Sequence, residues 1–270
     1  RQRVPILFTA GRTPILESGP LGSRNNFINW AQELYDQAGM VRELVKWDYE
    51  LRQPAQMQTV VTRALALARS EPQGPVYLML PREVLAADAV PTDPTIRIAP
   101  ATAPRPDAAA IQQLAQWLRA AESPLIITSD AGRTAKGFHA LADLAERLAI
   151  PVIEYRPRYA CLPTLHPMHA GWDPGPWLPH ADLVIVAESD VPWIPSMVAP
   201  QASAKIAHLG IDPLYSDYPV RGFPADLAIQ GEIGVSLEDL DQAVGELSAD
   251  EAACRERRRA ALGPGVAAAR

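Results

Sequence analysis

Short apolar runs alternate along this chain with stretches of helical period. Pro5 to Thr9 reads as a buried strand. A Gly- and Pro-rich loop follows over Gly11 to Ser23. Phe27, Trp30 and Leu34 then share one face, which predicts a helix from Phe27 to about Gln37, ended by Gly39. Glu43 to Trp47 reads as a short strand. Pro54 opens a helix in which Met57, Val60, Val61, Ala64, Leu65 and Ala68 keep the 3.6-residue period, and a first-turn proline costs that helix no hydrogen bond. Val76 to Leu80 is a continuous apolar strand closed by Pro81.

Periodicity then lapses between Ala89 and Asp107. Pro91, Pro94, Pro100, Pro104 and Pro106 fall within 16 residues, a composition that gives a semi-rigid extended linker. Beyond it the alternation resumes. Asp107 is placed to cap a helix carrying Ile111, Leu114 and Leu118. Strands are expected at Pro124–Thr128, Pro151–Tyr155, Leu183–Ala187, Lys205–Gly210 and Leu227–Gln230, with helices around Phe138 to Leu148 and Glu238 to Leu247. Strands that are apolar throughout, separated by helices, predict an α/β fold: parallel sheets in three-layer domains, the central one Rossmann-like with helices on both faces. The expected boundaries are 1–88, a linker over 89–106, a domain over 107–247 and a helical tail over 248–270.

Length and charge narrow the class. A chain of 270 residues can bury two cores. The net charge of −6 is interspersed, so neither nucleic acid nor an anionic membrane is an expected partner. The one basic cluster, Arg255 to Arg259, lies beside Glu251 and Glu256 and reads as a solvated helix face. The two cysteines, Cys161 and Cys254, are far apart, offer no disulfide framework and fit a reducing cytoplasm.

Small motifs recur in order through the first part: Gly11 and Pro14, Gln32-Glu33, Lys46-Trp47, Gly74-Pro75-Val76, and Pro81-Arg82-Glu83-Val84. In that order and spacing the stretch Val4 to Val84 resembles the second half of the pyrimidine-binding domain of thiamine-diphosphate-dependent enzymes of the acetolactate synthase and benzoylformate decarboxylase type. Pro124–Ile127, Leu144–Val152, Leu162–Gly171, Ala181–Ile185 and Lys205–Asp212 resemble the same family's central domain. The segment Asp190-Val191-Pro192-Trp193 departs from it and leaves the subfamily and substrate open.

The resemblance implies an enzyme that decarboxylates or ligates 2-oxo acids with thiamine diphosphate and Mg²⁺. In that family the cofactor-activating Glu precedes the matched stretch and the metal-binding GDG–Asn motif follows it. The chain is therefore expected to be an internal piece, inactive alone, whose partners are the remaining N- and C-terminal parts of the same enzyme in a homodimer or homotetramer. Gln32 is the foremost candidate, near cofactor and substrate, its amide able to bond a carboxylate or reacting hydroxyl. The competing reading has it pairing with backbone at a helix end. Arg82 is a candidate cation at the mouth of the substrate channel, or else a solvated domain-edge residue. Lys46, Trp47 and Pro14 are expected to be structural. Some relatives hold FAD or ADP on the central domain, which makes Gly132 and Arg133 candidates for a nucleotide loop. Asp130 would repel a diphosphate there, and an architectural domain is the alternative. Cys161, His166 and His169 lack a fourth ligand, so no metal site is expected on them.

Overall fold

The computed structural model describes residues 2–88 and 91–268, with no side-chain detail past Leu262. Ala89, where the expected linker begins, and the last two residues of the expected tail lie outside the described residues. The chain divides into two compact units, Arg1–Ala103 and Pro104–Arg270.

The first unit is a three-stranded parallel sheet in the order β1–β3–β2. Its strands are β1 (Leu7–Arg12), β2 (Trp47–Glu50) and β3 (Val76–Pro81), with Val76 paired to both Leu7 and Trp47. The middle strand is the continuous apolar run, buried because it has a neighbour on each side. Helices α1 (Ile28–Ala31), α2 (Met57–Arg69) and α3 (Arg82–Ala86) complete the unit. Ala64 and Ala68 of α2 pack on Val76, as the helical period required. Lys46 Nζ caps the end of α2 by donating to Leu67 O at 2.9 Å and Ser70 O at 2.7 Å.

Two expectations are corrected here. The helix placed at 27–37 is only the four-residue α1. Its apolar stripe stays largely uncovered by the described residues of the unit, with Phe27, Trp30 and Leu34 exposed, and so short a helix is not held without packing. Asp36 and Gln37 then turn the chain, through bonds to Gly39 N and Tyr77 Oη at 2.9 Å each. The strand placed at 43–47 lies at Trp47–Glu50, following a helical turn at Arg42–Leu44. Asp48 and Glu50 ride this edge strand because Arg42 and Arg12 pair with them.

The second unit is a five-stranded parallel sheet in the order β5–β4–β6–β7–β8. In chain order it comprises α4 (Ala108–Ala120), β4 (Pro124–Thr128), α5 (Ala135–Leu148), β5 (Val152–Glu154), β6 (Leu183–Ala187), β7 (Lys205–Gly210), β8 (Leu227–Gln230), α6 (Ile233–Val244) and α7 (Ala249–Ala268). Asp107 caps α4, accepting from Ala110 N at 2.9 Å, and Thr134 caps α5, accepting from Gly137 N at 3.0 Å. The last sheet-packed helix begins at Ile233 rather than Glu238. Glu232 caps it through Val235 N, and Ile233, Leu237, Leu240 and Val244 form its buried stripe. One continuous apolar cluster runs from Ile111 on α4 to Leu262 on α7. Both units are parallel sheets layered with helices, the α/β class expected.

Candidate functional site

In open α/β sheets ligands collect beyond the carboxyl ends of the strands. In the first unit β1 delivers Arg12 to that end and β3 delivers Arg82. The intervening loop, residues 13–37, is strapped down by ion pairs. Arg24, nearly buried, pairs with Glu33, donates to Pro14 O and Asn29 O at 3.1 Å each, and lies over the Trp30 ring. Arg12 pairs with Glu50 at 2.8 Å and reaches Glu33 at 3.8 Å.

Gln32 closes α1, its backbone N–H bonded to Ile28 O at 3.0 Å. Its side-chain amide is exposed and bonds no other described residue. Glu33 next to it is held by two arginines, so the Gln-Glu pair combines one fixed anion with one open amide. Arg82 Nη1 donates to Asn25 Oδ1 at 2.8 Å, and Asn25 N bonds the side chain of Asn29, one position after Ile28. Arg82 thus bonds the loop that carries Gln32, with no bond between the two side chains among the described residues. Glu83 anchors the loop's other limb, accepting from Leu16 N at 2.8 Å. Burial would raise its carboxyl pKa, but the N–H groups of Leu16 and Ile15 outweigh that and hold it below the usual range. Arg12, Arg24 and Glu33 were not singled out as loop anchors from sequence; alternating charges flanking a Gly/Pro loop were the available signal.

In the second unit Gly132 and Arg133 lie in a helical turn after β4. A side chain at Gly132 would sit 1.9 Å from Ala160 O, so the chain's own backbone fills the space over this glycine. The strand order reverses between β4 and β6, where a nucleotide would enter. There Ser129 N and Asp130 N both bond Glu188 O, at 3.3 and 3.0 Å. Asp130 is buried and engaged by Arg158, whose Nη1 also donates to Asp190 Oδ2 at 2.8 Å. Tyr218 Oη donates to the same Asp190 oxygen at 2.6 Å, and Arg221 Nε donates to Asp190 O at 2.8 Å. Burial works against the Arg158 charge, but Asp130 and Asp190 more than offset it and raise its pKa. Burial likewise pushes Asp190 upward, and bonds from Tyr218 and Arg158 reverse the direction. The crevice is bridged by protein groups. The anion repulsion expected of Asp130 is replaced by an internal ion pair.

Cys161 is buried beside Thr128, and burial pushes its thiol up to about 11, away from nucleophilic use. His169 Nε2 donates to Glu154 Oε2 at 2.8 Å while its Nδ1 accepts from Gly171 N at 3.3 Å. Glu154 Oε1 also accepts from Cys161 N and Leu162 N. This trio pins the loop after β5. Among the described residues no three His, Cys, Asp or Glu side chains are grouped to hold a metal ion.

Each unit is a parallel sheet layered with helices, one with a crevice bridged by its own ion pairs and one with a strapped loop at its carboxyl end, which defines the α/β class. Residues 111–240 match the family profile described as thiamine pyrophosphate enzyme, central domain. Over that stretch the chain carries the central domain of the thiamine pyrophosphate enzyme family. It is 30% identical over 223 residues to "Probable 2-ketoarginine decarboxylase AruI" of Pseudomonas aeruginosa, covering 77% of this chain and 37% of that protein. It is 26% identical over 222 residues to the acetolactate synthase large subunit of Lactococcus lactis subsp. lactis, with the same two coverages of 77% and 37%. The crystal structure of benzoylformate decarboxylase from Polynucleobacter necessarius superposes with a TM-score of 0.70 at 23% identity, over 91% of this chain and 46% of that one; at this identity the likeness bears on fold alone. The chain spans 37% of the length of these two curated relatives and 46% of the superposed structure.

Proposed function

We propose that this chain contributes a substrate-site wall and an architectural central domain to a thiamine-diphosphate-dependent enzyme that decarboxylates or ligates 2-oxo acids. The observation that carries the reading is the family match over residues 111–240, which spans the five-stranded sheet. On this reading the first unit presents Gln32 to a substrate carboxylate or hydroxyl. Arg82 draws anionic substrate toward the carboxyl end of the sheet. The open Gln32 amide, beside a Glu33 fixed by Arg24 and Arg12, supports the first role. Thiamine diphosphate and Mg²⁺ are held by other segments of the enzyme, the cofactor supplying the electron sink. The assembly is a homodimer or homotetramer in the cytoplasm. Exposed Leu21, Phe27, Tyr35, Met40 and Leu44 in the first unit support burial against such partners.

The chain by itself is expected to turn over no 2-oxo acid. Incubating it with thiamine diphosphate, Mg²⁺ and pyruvate and following carbon dioxide release tests this; sustained turnover would show its catalytic parts to be complete. In the complete enzyme Gln32→Ala should lower kcat/KM about 100-fold, on the order of 3 kcal/mol. An unchanged value would return Gln32 to a helix-end role. The nucleotide reading is not favoured: Asp130, Arg158 and the Ala160 carbonyl occupy the place a diphosphate would need.

A further inference from the structure

The second unit carries a cavity at the end of its sheet opposite the bridged crevice. It lies at the amino ends of β4, β5 and β6 and encloses about 280 Å³, with Pro124, Leu125, Pro151, Trp177, Arg258 and Leu262 among its walls. That is close to the lower bound of small-molecule sites and suits a body of one or two rings. Three of these walls are rings, those of Pro124, Pro151 and Trp177.

Arg258 is the anomaly. Of the basic cluster on α7, Arg255 pairs with Glu256 and Arg259 reaches Glu146 O on the surface. Arg258 instead turns inward. Its Nη2 donates to Leu148 O at 2.9 Å and its Nη1, at a long 3.4 Å, to Ala121 O, at the carboxyl ends of α5 and α4. Its Nε is buried and finds no hydrogen-bond partner among the described residues. Among the described residues no carboxylate lies within ion-pair reach of it. Asp182 acts on it through space but spends its own oxygens on Glu122 N at 2.6 Å and Ser123 N at 3.0 Å. Burial lowers the Arg258 pKa, the mark of a cation whose lost hydration is not fully replaced. Two helix-end carbonyls account for part of that, and three of the five guanidinium N–H groups remain over.

We propose that this cavity binds a small aromatic monocarboxylate, its ring lying among Trp177 and the proline faces and its carboxylate directed to Arg258. Exposed Glu122 on the rim sets the orientation, because a carboxylate left at the mouth would meet like charge. The site is built from the sheet's amino end and α7, and it shares no lining residue with the crevice or with the first unit. It does not rest on the catalytic reading above.

The test is calorimetric titration of the purified protein with indole-3-acetate and with indole-3-acetamide, which has the same ring and no charge. The acid should bind with a sub-millimolar Kd and the amide about tenfold or more weakly, a gap of about 1.4 kcal/mol. Arg258→Met should erase the difference between the two. Leu262→Trp, which fills the cavity, should abolish both. Absence of heat for the acid at millimolar concentration, equal affinity for acid and amide, or undiminished binding to Leu262→Trp would each overturn the proposal. Thermal unfolding of the variants checks that they fold. If they do not, the acid–amide comparison in the unaltered protein decides.

Discussion

The two units are built from the same parts and reach different ends. The second closes on itself: its apolar side chains form one cluster spanning five strands and four helices. The first breaks into three small clusters around Tyr77, Leu78 and Val76, its neighbouring apolar side chains remaining half-open. Strand β1 pairs only with β3, and Phe8 on it is 50% exposed. Exposed aromatic and aliphatic residues grouped in this way mark surfaces suited to contact. The contrast separates roles. The packed unit spends its crevice on internal ion pairs. The under-packed unit, where the proposed roles of Gln32 and Arg82 lie, leaves large apolar side chains exposed.

That contrast can be broken most directly in the core. Leu144→Ala, at a fully buried site, should cost about 3–4 kcal/mol in chemical denaturation of the second unit. A loss under about 1 kcal/mol would mean the unit is far looser than its packing implies. Acid comes next. His208 is buried in β7, its Nε2 donating to Pro224 O at 3.0 Å and its Nδ1 accepting from Arg221 at 3.2 Å. Burial, with the Arg221 charge second, pushes its pKa down to about 4 from the ordinary 6.5. The folded state thus holds the imidazole neutral where the unfolded chain would protonate it. The resulting stability is complete above pH 6.5 and is lost as pH falls toward 4, on the order of 3 kcal/mol. Comparing pH-dependent unfolding with His208→Gln checks it; the variant should lack that component.

Gly132→Ala sharpens the comparison on the scaffold side. A Cβ 1.9 Å from Ala160 O forces backbone apart, and about 2 kcal/mol should be lost. If instead the variant is neutral, the loop after β5 does not seal the turn. The smallest effect is expected in the first unit, where Phe8→Ser should change stability by no more than about 0.5 kcal/mol. It should also reduce self-association in sedimentation velocity. A cost comparable to that of Leu144→Ala would show β1 to be core, and the distinction between the units would fall.

Legibility followed the same division. Strands β4, β6, β7 and β8 were placed at their true bounds, because each is a short, mostly apolar run, and in β4 and β6 burial on both faces makes that run continuous. Asp107 could be assigned as a cap for an equally local reason. The stripe Phe27, Trp30, Leu34 has a helix's period, yet it stays exposed and the helix stops after four residues. Trp47–Glu50 was missed because a strand carrying Asp48 and Glu50 is stable only with Arg42 and Arg12 beside it, and those contacts come from elsewhere in the chain. Gln32 could be picked out through a motif. That Glu33 is its anchored neighbour could not.

From the order of residues alone came the α/β class, the family, and most strands of the second unit, since apolar periodicity and caps act over a few positions and are written locally. The folded chain alone decided which charges meet. Arg158 between Asp130 and Asp190, Arg24 on Glu33 and Arg258 turned into its cavity depend on loops and helices converging in space. A charge carries no mark in sequence of whether its partner is another side chain, water or a ligand yet to arrive, because burial decides that, and burial belongs to the assembled fold.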